Sequence, residues 1–244
     1  MSKSPTIEID NLTVRYRHYE SASRSLKLNL LTNKHGNKET RAALEGVSLS
    51  VFPGEVIGVI GRNGAGKSTL AKAIVGSVRP AVGWVRTNGV LTAMIELGAG
   101  LNQDMTPREN VALHSAIYSY DLADIDRRAM DVCSWAGLSE HIDKPLRTFS
   151  SGMNARFAFS LNTDMKPDIL ILDEILSVGD FEFQAKSLER TKELMKGGTS
   201  VILVSHDMGS IKKFSSRVLW LDSGKVVDLA DAEKIVSKYE SHQN

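Results

Sequence analysis

Cysteine is almost absent from this chain of 244 residues: there is one, Cys133, in a stretch patterned as an amphipathic helix. A single thiol excludes an intrachain disulfide framework and a multi-cysteine metal site, and it suits a reducing compartment. Long apolar runs are missing too. The most apolar segments, Val56 to Ile60 and Ile169 to Leu172, fall far short of the ~20 residues that a membrane-spanning helix needs, so no part of the chain is expected to cross a bilayer unaided. The opening residues, MSKSPTIEID, lack the basic region, apolar core and small-residue cleavage site of a secretory signal. The protein is therefore expected to stay inside the cell. Neither charge is in excess, since 30 Lys and Arg oppose 29 Asp and Glu. That balance removes the global electrostatic reason to expect a nucleic-acid partner. A local basic run does exist near the start, through Arg15, Arg17, Arg24, Lys27, Lys34, Lys38 and Arg41.

What is present is an alternation of strand and helix patterns. Ile7, Ile9, Leu12 and Val14 alternate as an opening strand, and Leu44, Val47, Leu49 and Val51 as its antiparallel partner or neighbour. Between them the stretch 19–41 is polar and basic, with room for a short helix around Arg24 to Leu31. Pro53 and Gly54 turn the chain into an apolar strand, Glu55 to Ile60, followed by a glycine-rich loop and a helix from about Gly66 to Val75. The stretch from Thr106 to Ser150 is helical in pattern: Thr106 is an N-cap with Pro107 at the first helical position and Glu109 closing a capping box. That helix should run to about Tyr118. A second spans Ile125 to Ala136 and ends at Gly137, and a third starts near Ser150. From Pro167 onward strands at Ile169–Leu172, Val201–Val204 and Val218–Leu221 alternate with helices at Phe181–Met195 and Met208–Phe214, and a last helix covers Ala232–Tyr239. Such units predict a parallel sheet with helices packed on it. The expected fold is α/β, with residues 1–96 and 165–244 forming the main lobe and 97–164 an inserted helical lobe.

Three segments carry chemistry. Gly61-Arg62-Asn63-Gly64-Ala65-Gly66-Lys67-Ser68 is a complete G-x-x-x-x-G-K-[ST] between an apolar strand and a helix. Its glycines let backbone amides approach nucleotide phosphates closely; Lys67 adds positive charge, Ser68 a hydroxyl for Mg²⁺, and Thr69 extends the turn toward the α-phosphate. Much later, Ile169 to Leu172 delivers Asp173 and Glu174 at the C-terminal end of a buried strand. There Asp173 would hold Mg²⁺ through water and Glu174 would orient or polarise the water attacking the γ-phosphate. His206 follows the strand at Val201–Val204 and can donate a hydrogen bond to the γ-phosphate, because ligands collect at the shared C-terminal edge of such strands. These residues describe a P-loop ATPase that uses ATP and Mg²⁺.

Phe149-Ser150-Ser151-Gly152-Met153 narrows the class. It resembles the ABC signature, usually written LSGGQ, at the start of a helix about 20 residues ahead of the acidic strand. With the phosphate loop, the acidic pair and the histidine in the same order, the chain resembles the nucleotide-binding subunits of ABC transporters from its first strand to about Asp228. The resemblance implies a P-loop NTPase core with an antiparallel β subdomain and a helical lobe, working as a head-to-tail dimer. Each ATP would lie between the phosphate loop of one subunit and Ser150, Ser151 and Gly152 of the other. It also implies that Ser177 to Asp180 contacts the facing subunit, and that Tyr16, or else Tyr19, stacks on adenine; Tyr16 is preferred because it directly follows the expected opening strand.

FSSGM in place of LSGGQ, the sequences GRNGAGKST and ELGAGL, the segment TPREN and the basic insertion together look like the exporters of bacterial surface polysaccharides of Wzt type. That branch implies a multispanning ABC-2 type permease as partner, a lipid-linked glycan as indirect cargo, and a peripheral position on the cytoplasmic face of the inner membrane. The insertion would then supply cations for lipid headgroups or a diphosphate near the permease entrance. No C-terminal sugar-binding domain is expected. The position where most ABC proteins have a metal-ligating glutamine falls near Leu97; the nearest polar residues are Glu96 and Gln103, and neither takes the role on sequence alone. Two alternatives stay open: another class of transporter, or an ABC ATPase of DNA repair or ribosomes, although the long coiled coils or double cassettes of those proteins are not seen here.

Overall fold

The computed structural model describes residues 4–19, 38–94, 100–118, 121–164, 166–173 and 181–243. The expected helix at 24–31, the two residues Glu96 and Leu97, Glu174 and the segment from Ser177 to Asp180 lie outside them. In chain order the elements are β1 (Ile7–Tyr19), β2 (Lys38–Val51), β3 (Val56–Ile60), α1 (Lys67–Val75), β4 (Val82–Thr87), β5 (Leu91–Met94), α2 (Pro107–Ile117), α3 (Ile125–Ala136), α4 (Ser151–Asp164), β6 (Ile169–Asp173), α5 (Phe181–Lys196), β7 (Ser200–Val204), α6 (Met208–Phe214), β8 (Arg217–Asp222), β9 (Lys225–Asp231) and α7 (Ala232–Gln243).

Two sheets form. The first has the order β2-β1-β4 and is antiparallel; the second runs β5-β6-β7-β3-β8-β9. All neighbours in the second sheet are parallel except β9, which returns antiparallel to β8. The expected parallel sheet therefore ends in one antiparallel strand, reached through a two-residue turn in which both Ser223 (φ 48°) and Gly224 (φ 81°) are left-handed. A turn of that hand matches the twist of a hairpin, which is why the chain reverses there and does not cross over.

Period-2 burial splits the central strands between two cores. Ile57, Val59, Ile169, Ile171, Ile202, Val204, Leu219 and Leu221 face the antiparallel sheet and α1. Their alternates Leu170, Leu172, Val201, Leu203, Val218 and Trp220 pack with Phe183, Ile211, Ile235 and Val236 of the helices on the other side. Strands covered on both faces read as continuous apolar runs, which is how they stood out in the sequence.

The helices α2, α3 and α4 enclose a third core built on Val111, Val132, Cys133, Leu146, Phe157 and Leu161. Their ends are set as the sequence predicts. The Thr106 hydroxyl accepts from the Glu109 amide, the Glu109 carboxylate accepts from the Thr106 amide, and Gly137 closes α3 in the left-handed conformation. Burial pushes the Cys133 thiol up to about 11, so it stays protonated and serves as packing. Burial, helped by the nearby Arg128 guanidinium, pushes His114 on α2 down to about 4, against smaller opposing effects of Asn162 and Asp164. The folded lobe thus holds a neutral imidazole that the unfolded chain would protonate below about pH 6.5. Stability is expected to be intact above that pH and to fall as pH drops from about 6.5 toward 4. Urea midpoints measured across this window should decline less steeply for His114→Gln than for the parent chain; equal slopes would remove His114 as the cause.

Candidate ATP site

Register places the site. Val59, Val204 and Asp173 lie in one row across three adjacent parallel strands. Gly61 and His206 each follow that row by two residues, and Asp173 ends its own strand in it. Neighbouring strands sit ~4.8 Å apart, so the loop after β3, the acid of β6 and the histidine after β7 emerge within about 10 Å along one sheet edge. A cavity of about 380 Å³ opens there, lined by Asn63, Gly64, Gly66, Lys67, Ser68, Thr69, Asp173, His206 and Ala43.

The loop takes its shape from backbone constraints at two glycines. At Gly61 (φ 149°) a β-carbon would run into the Leu221 carbonyl, and at Gly66 (φ 107°) it would stand 2.7 Å from both the Ala43 oxygen and a Leu44 methyl. Any side chain there would push the loop away from the sheet. Lys67 is 7% exposed and its Nζ donates to the carbonyl oxygens of Gly61 (2.8 Å) and Arg62 (3.2 Å). The ammonium is thereby folded over the loop, next to the first-turn amides of α1. Those amides have no acceptor within the helix and carry its positive dipole end. The result is a cradle for a polyphosphate. Asp207, beside His206, is not part of it: its carboxylate accepts from Ser210 Oγ (2.6 Å) and from the amides of Gly209 and Ser210. These bonds, the Ser210 hydroxyl first, hold Asp207 below the usual carboxylate range and anchor the start of α6.

Two contributors escaped the sequence reading. Ala43, on β2, lines the cavity, and Gly224 in the β8–β9 turn donates its amide to Ala65 O at 3.0 Å while its carbonyl accepts from Glu45 N at 2.8 Å. The turn thus buttresses the phosphate loop against β2. A Ser-Gly pair after the β8 strand is the available signal for the turn; Ala43 offers none, since an alanine on a strand carries no chemistry that marks it for a site.

Other sequence-predicted residues lie elsewhere. Gly61, Arg62 and Ala65 shape the loop without lining the cavity. Tyr16 does not follow the opening strand but lies inside it, paired with Arg41, because the β1–β2 ladder continues through the polar stretch as far as Tyr19 and Lys38. Tyr16 is 41% exposed and lines a separate cavity with Lys72, Val75, Thr87 and Tyr118. Ser150, Ser151 and Gly152 also lie outside the phosphate cavity. Ser150 Oγ accepts from Met153 N at 3.2 Å, capping α4. Gln103 is on the loop before α2, where its carbonyl accepts from Arg147 N, and does not reach the cavity either.

The family model for ABC transporters matches residues 44–177, more than half the chain. The chain belongs to the ABC transporter family. It is 35% identical over 239 residues to the O-antigen export system ATP-binding protein RfbB of Klebsiella pneumoniae, covering 96% of this chain and 97% of that protein. It is 37% identical over 220 residues to the protein of the same name from Myxococcus xanthus, of which it spans half the length. Among solved structures, an ATP-binding subunit of an ABC transporter superposes with a TM-score of 0.77 at 22% identity, covering 96% of this chain and 93% of that one. The dimeric cassette MJ0796 bound to ADP and phosphate gives 0.74 at 22% identity over 93% and 98%. This ABC cassette is accordingly an ATP-binding, ATP-hydrolysing transporter subunit, and its two sheets and helical lobe are the expected cassette core.

Proposed function

We propose that this cassette drives export of a lipid-linked surface or cell-wall polysaccharide, working as a head-to-tail pair with a multispanning ABC-2 type permease at the cytoplasmic face of the membrane. The observation that carries the cargo is the 35% identity, over nearly the full length of both chains, to a protein named for O-antigen export. The same branch of exporters was read from FSSGM, ELGAGL and TPREN. Among the described residues no helix is long and apolar enough to cross a membrane; in this proposal the permease supplies the pathway. Depleting this subunit should make a lipid-linked glycan accumulate on the cytoplasmic side, and the chain should co-purify with a permease. Accumulation of no glycan, with normal surface polysaccharide, would overturn the assignment.

In the mechanism, the loop amides and Lys67 bind and orient the β- and γ-phosphates. The Ser68 hydroxyl would hold Mg²⁺ directly and the Asp173 carboxylate would hold it through water; both are oxygen donors lining one cavity, a set that suits this ion. When bound, Mg²⁺ neutralises charge on the β- and γ-oxygens. His206 donates to the γ-phosphate, and Glu174, one residue beyond Asp173, orients the attacking water. Ser150, with the amides of Ser151 and Gly152, is offered to the γ-phosphate of a second copy, consistent with its position outside this subunit's own cavity. The insertion at 19–41 lies mostly outside the described residues; in this proposal its cations meet anionic lipid headgroups or the diphosphate of the cargo.

Adenine lies beyond the phosphates, so a residue that stacks on it need not line the phosphate cavity. Tyr16 keeps that role in this proposal: its strand partner Arg41 is two residues from Ala43, the cavity wall. Stacking of a base on an aromatic ring contributes about 1–3 kcal/mol, so Tyr16→Ala should raise the KM for ATP by about tenfold or more with little change in kcat. Tyr16→Phe should stay near the parent value. An unchanged KM in Tyr16→Ala would free the residue from the nucleotide.

A further inference from the structure

We infer that Asn110 is a positioning residue for the ATP site of the facing subunit, acting by fixing a loop onto which the turn ahead of Ser150 is stitched. The inference rests on the proposal that Ser150 acts across the dimer.

Asn110 stands in the first turns of α2 and is 2% exposed. Its Oδ1 accepts from the Asn102 amide at 2.8 Å, and its Nδ2 lies 3.0–3.2 Å from the carbonyl oxygens of Asn102, Met105 and Thr106. The whole loop 102–106 is thus wrapped around one buried carboxamide. Two carbonyls of that loop, one of them the Met105 oxygen that also faces Asn110 Nδ2, then accept from the turn Leu146–Thr148: Leu146 N donates to Met105 O at 3.0 Å and Arg147 N to Gln103 O at 2.8 Å. The Arg147 guanidinium adds an ion pair to Asp104 at 2.7 Å. Leu146 is fully buried and its carbonyl accepts from Phe149 N at 2.9 Å; the next residue is Ser150, capping α4. A continuous set of bonds therefore runs from the Asn110 side chain to the signature serine, and none of its members lines the phosphate cavity.

A group that meets its phosphate only on dimer closure must already be in place, since a displacement of about 1 Å from the productive geometry costs on the order of a hundredfold in rate. Asn110→Ala removes the loop's centre, and Asn110→Asp sets a carboxylate among three carbonyl oxygens. Both are expected to lower kcat of the full chain by about tenfold or more, short of that limit because the backbone bonds survive. ATP binding by the monomer, read with a fluorescent ATP analogue, should stay within about twofold, since the variants keep every cavity residue.

Mixing separates the two ideas. Combined with Lys67→Ala subunits, an Asn110→Ala subunit keeps its own phosphate loop and meets an unaltered signature, so activity should recover to the level reached by Ser150→Arg mixed with Lys67→Ala. Recovery with Ser150→Arg but not with Asn110→Ala overturns the inference and leaves the shared site standing. Recovery with neither overturns the shared site and the inference with it. Should the Asn110 variants fail to fold, Arg147→Ala keeps the question open to test, because that side chain is 62% exposed and its loss leaves the core untouched. It should lower kcat several-fold at unchanged Tm and be rescued in the same mixture; unchanged hydrolysis overturns the inference.

Discussion

Glu174→Gln is expected to bind MgATP as tightly as the parent chain and to hydrolyse it at least about a hundredfold more slowly, the scale at which a positioned general base contributes. The expectation follows from the row of the sheet. Asp173 ends β6 on the cavity, and Glu174 is the residue that follows it in the sequence. His206, which also lines the cavity, donates in the proposed scheme and is not a substitute acceptor. Glutamine preserves size and one hydrogen-bonding oxygen but cannot draw a proton from water. The arrested variant should therefore collect as an ATP-bound dimer, visible by size-exclusion chromatography with MgATP and absent with ADP. Steady-state hydrolysis near the parent rate would remove Glu174 from the reaction, whatever its effect on dimer formation.

Residues at the row were readable from sequence because each announces itself twice, by its own chemistry and by its element. The glycine pattern comes between an apolar strand and a helix, the acid ends four buried apolar residues, and the histidine follows another such run. Parallel register brings the three together with no further information. Helix limits were equally legible where a local device sets them, as at the Thr106–Glu109 capping box and Gly137. The strands β4, β5 and β9 were not. Most of β4 and β9 is exposed or half-buried, so they show no clean alternation, and β4 contains Gly83, where a β-carbon would collide with the Asp10 and Asn11 carbonyls. Pairing partners, not side-chain pattern, make them strands. Tyr16 was misplaced for the same reason: the far end of the β1–β2 ladder is held by backbone bonds through polar residues. In sequence Asn110 stands out only as part of TPREN, since a side chain that organises a loop through carbonyls looks like any polar residue on a helix.

The other large effect is a recovery. Neither Lys67→Ala nor Ser150→Arg subunits should hydrolyse ATP appreciably alone, the first because the ammonium that Gly61 and Arg62 hold over the loop is gone, the second because a bulky cation replaces the serine that caps α4. In the proposed head-to-tail arrangement each homodimer has both composite sites broken. A mixed dimer differs: one site joins two altered parts, while the other joins the Lys67 loop of the Ser150→Arg subunit to the Ser150 helix of the Lys67→Ala subunit, both intact. Random mixing of equal amounts makes about half the dimers mixed, each with one of two sites whole, so hydrolysis should return to about a quarter of the parent rate if sites act independently. Independence is the outcome that a site built only from positioned groups predicts; a return well below a quarter would mean that one ATP waits on the other. No return of either hydrolysis or ATP-dependent dimerisation, at concentrations where the parent chain is active, would place Ser150 and Lys67 in the same subunit's site. That result would contradict the separation seen here, in which the signature residues and the phosphate cavity share no wall.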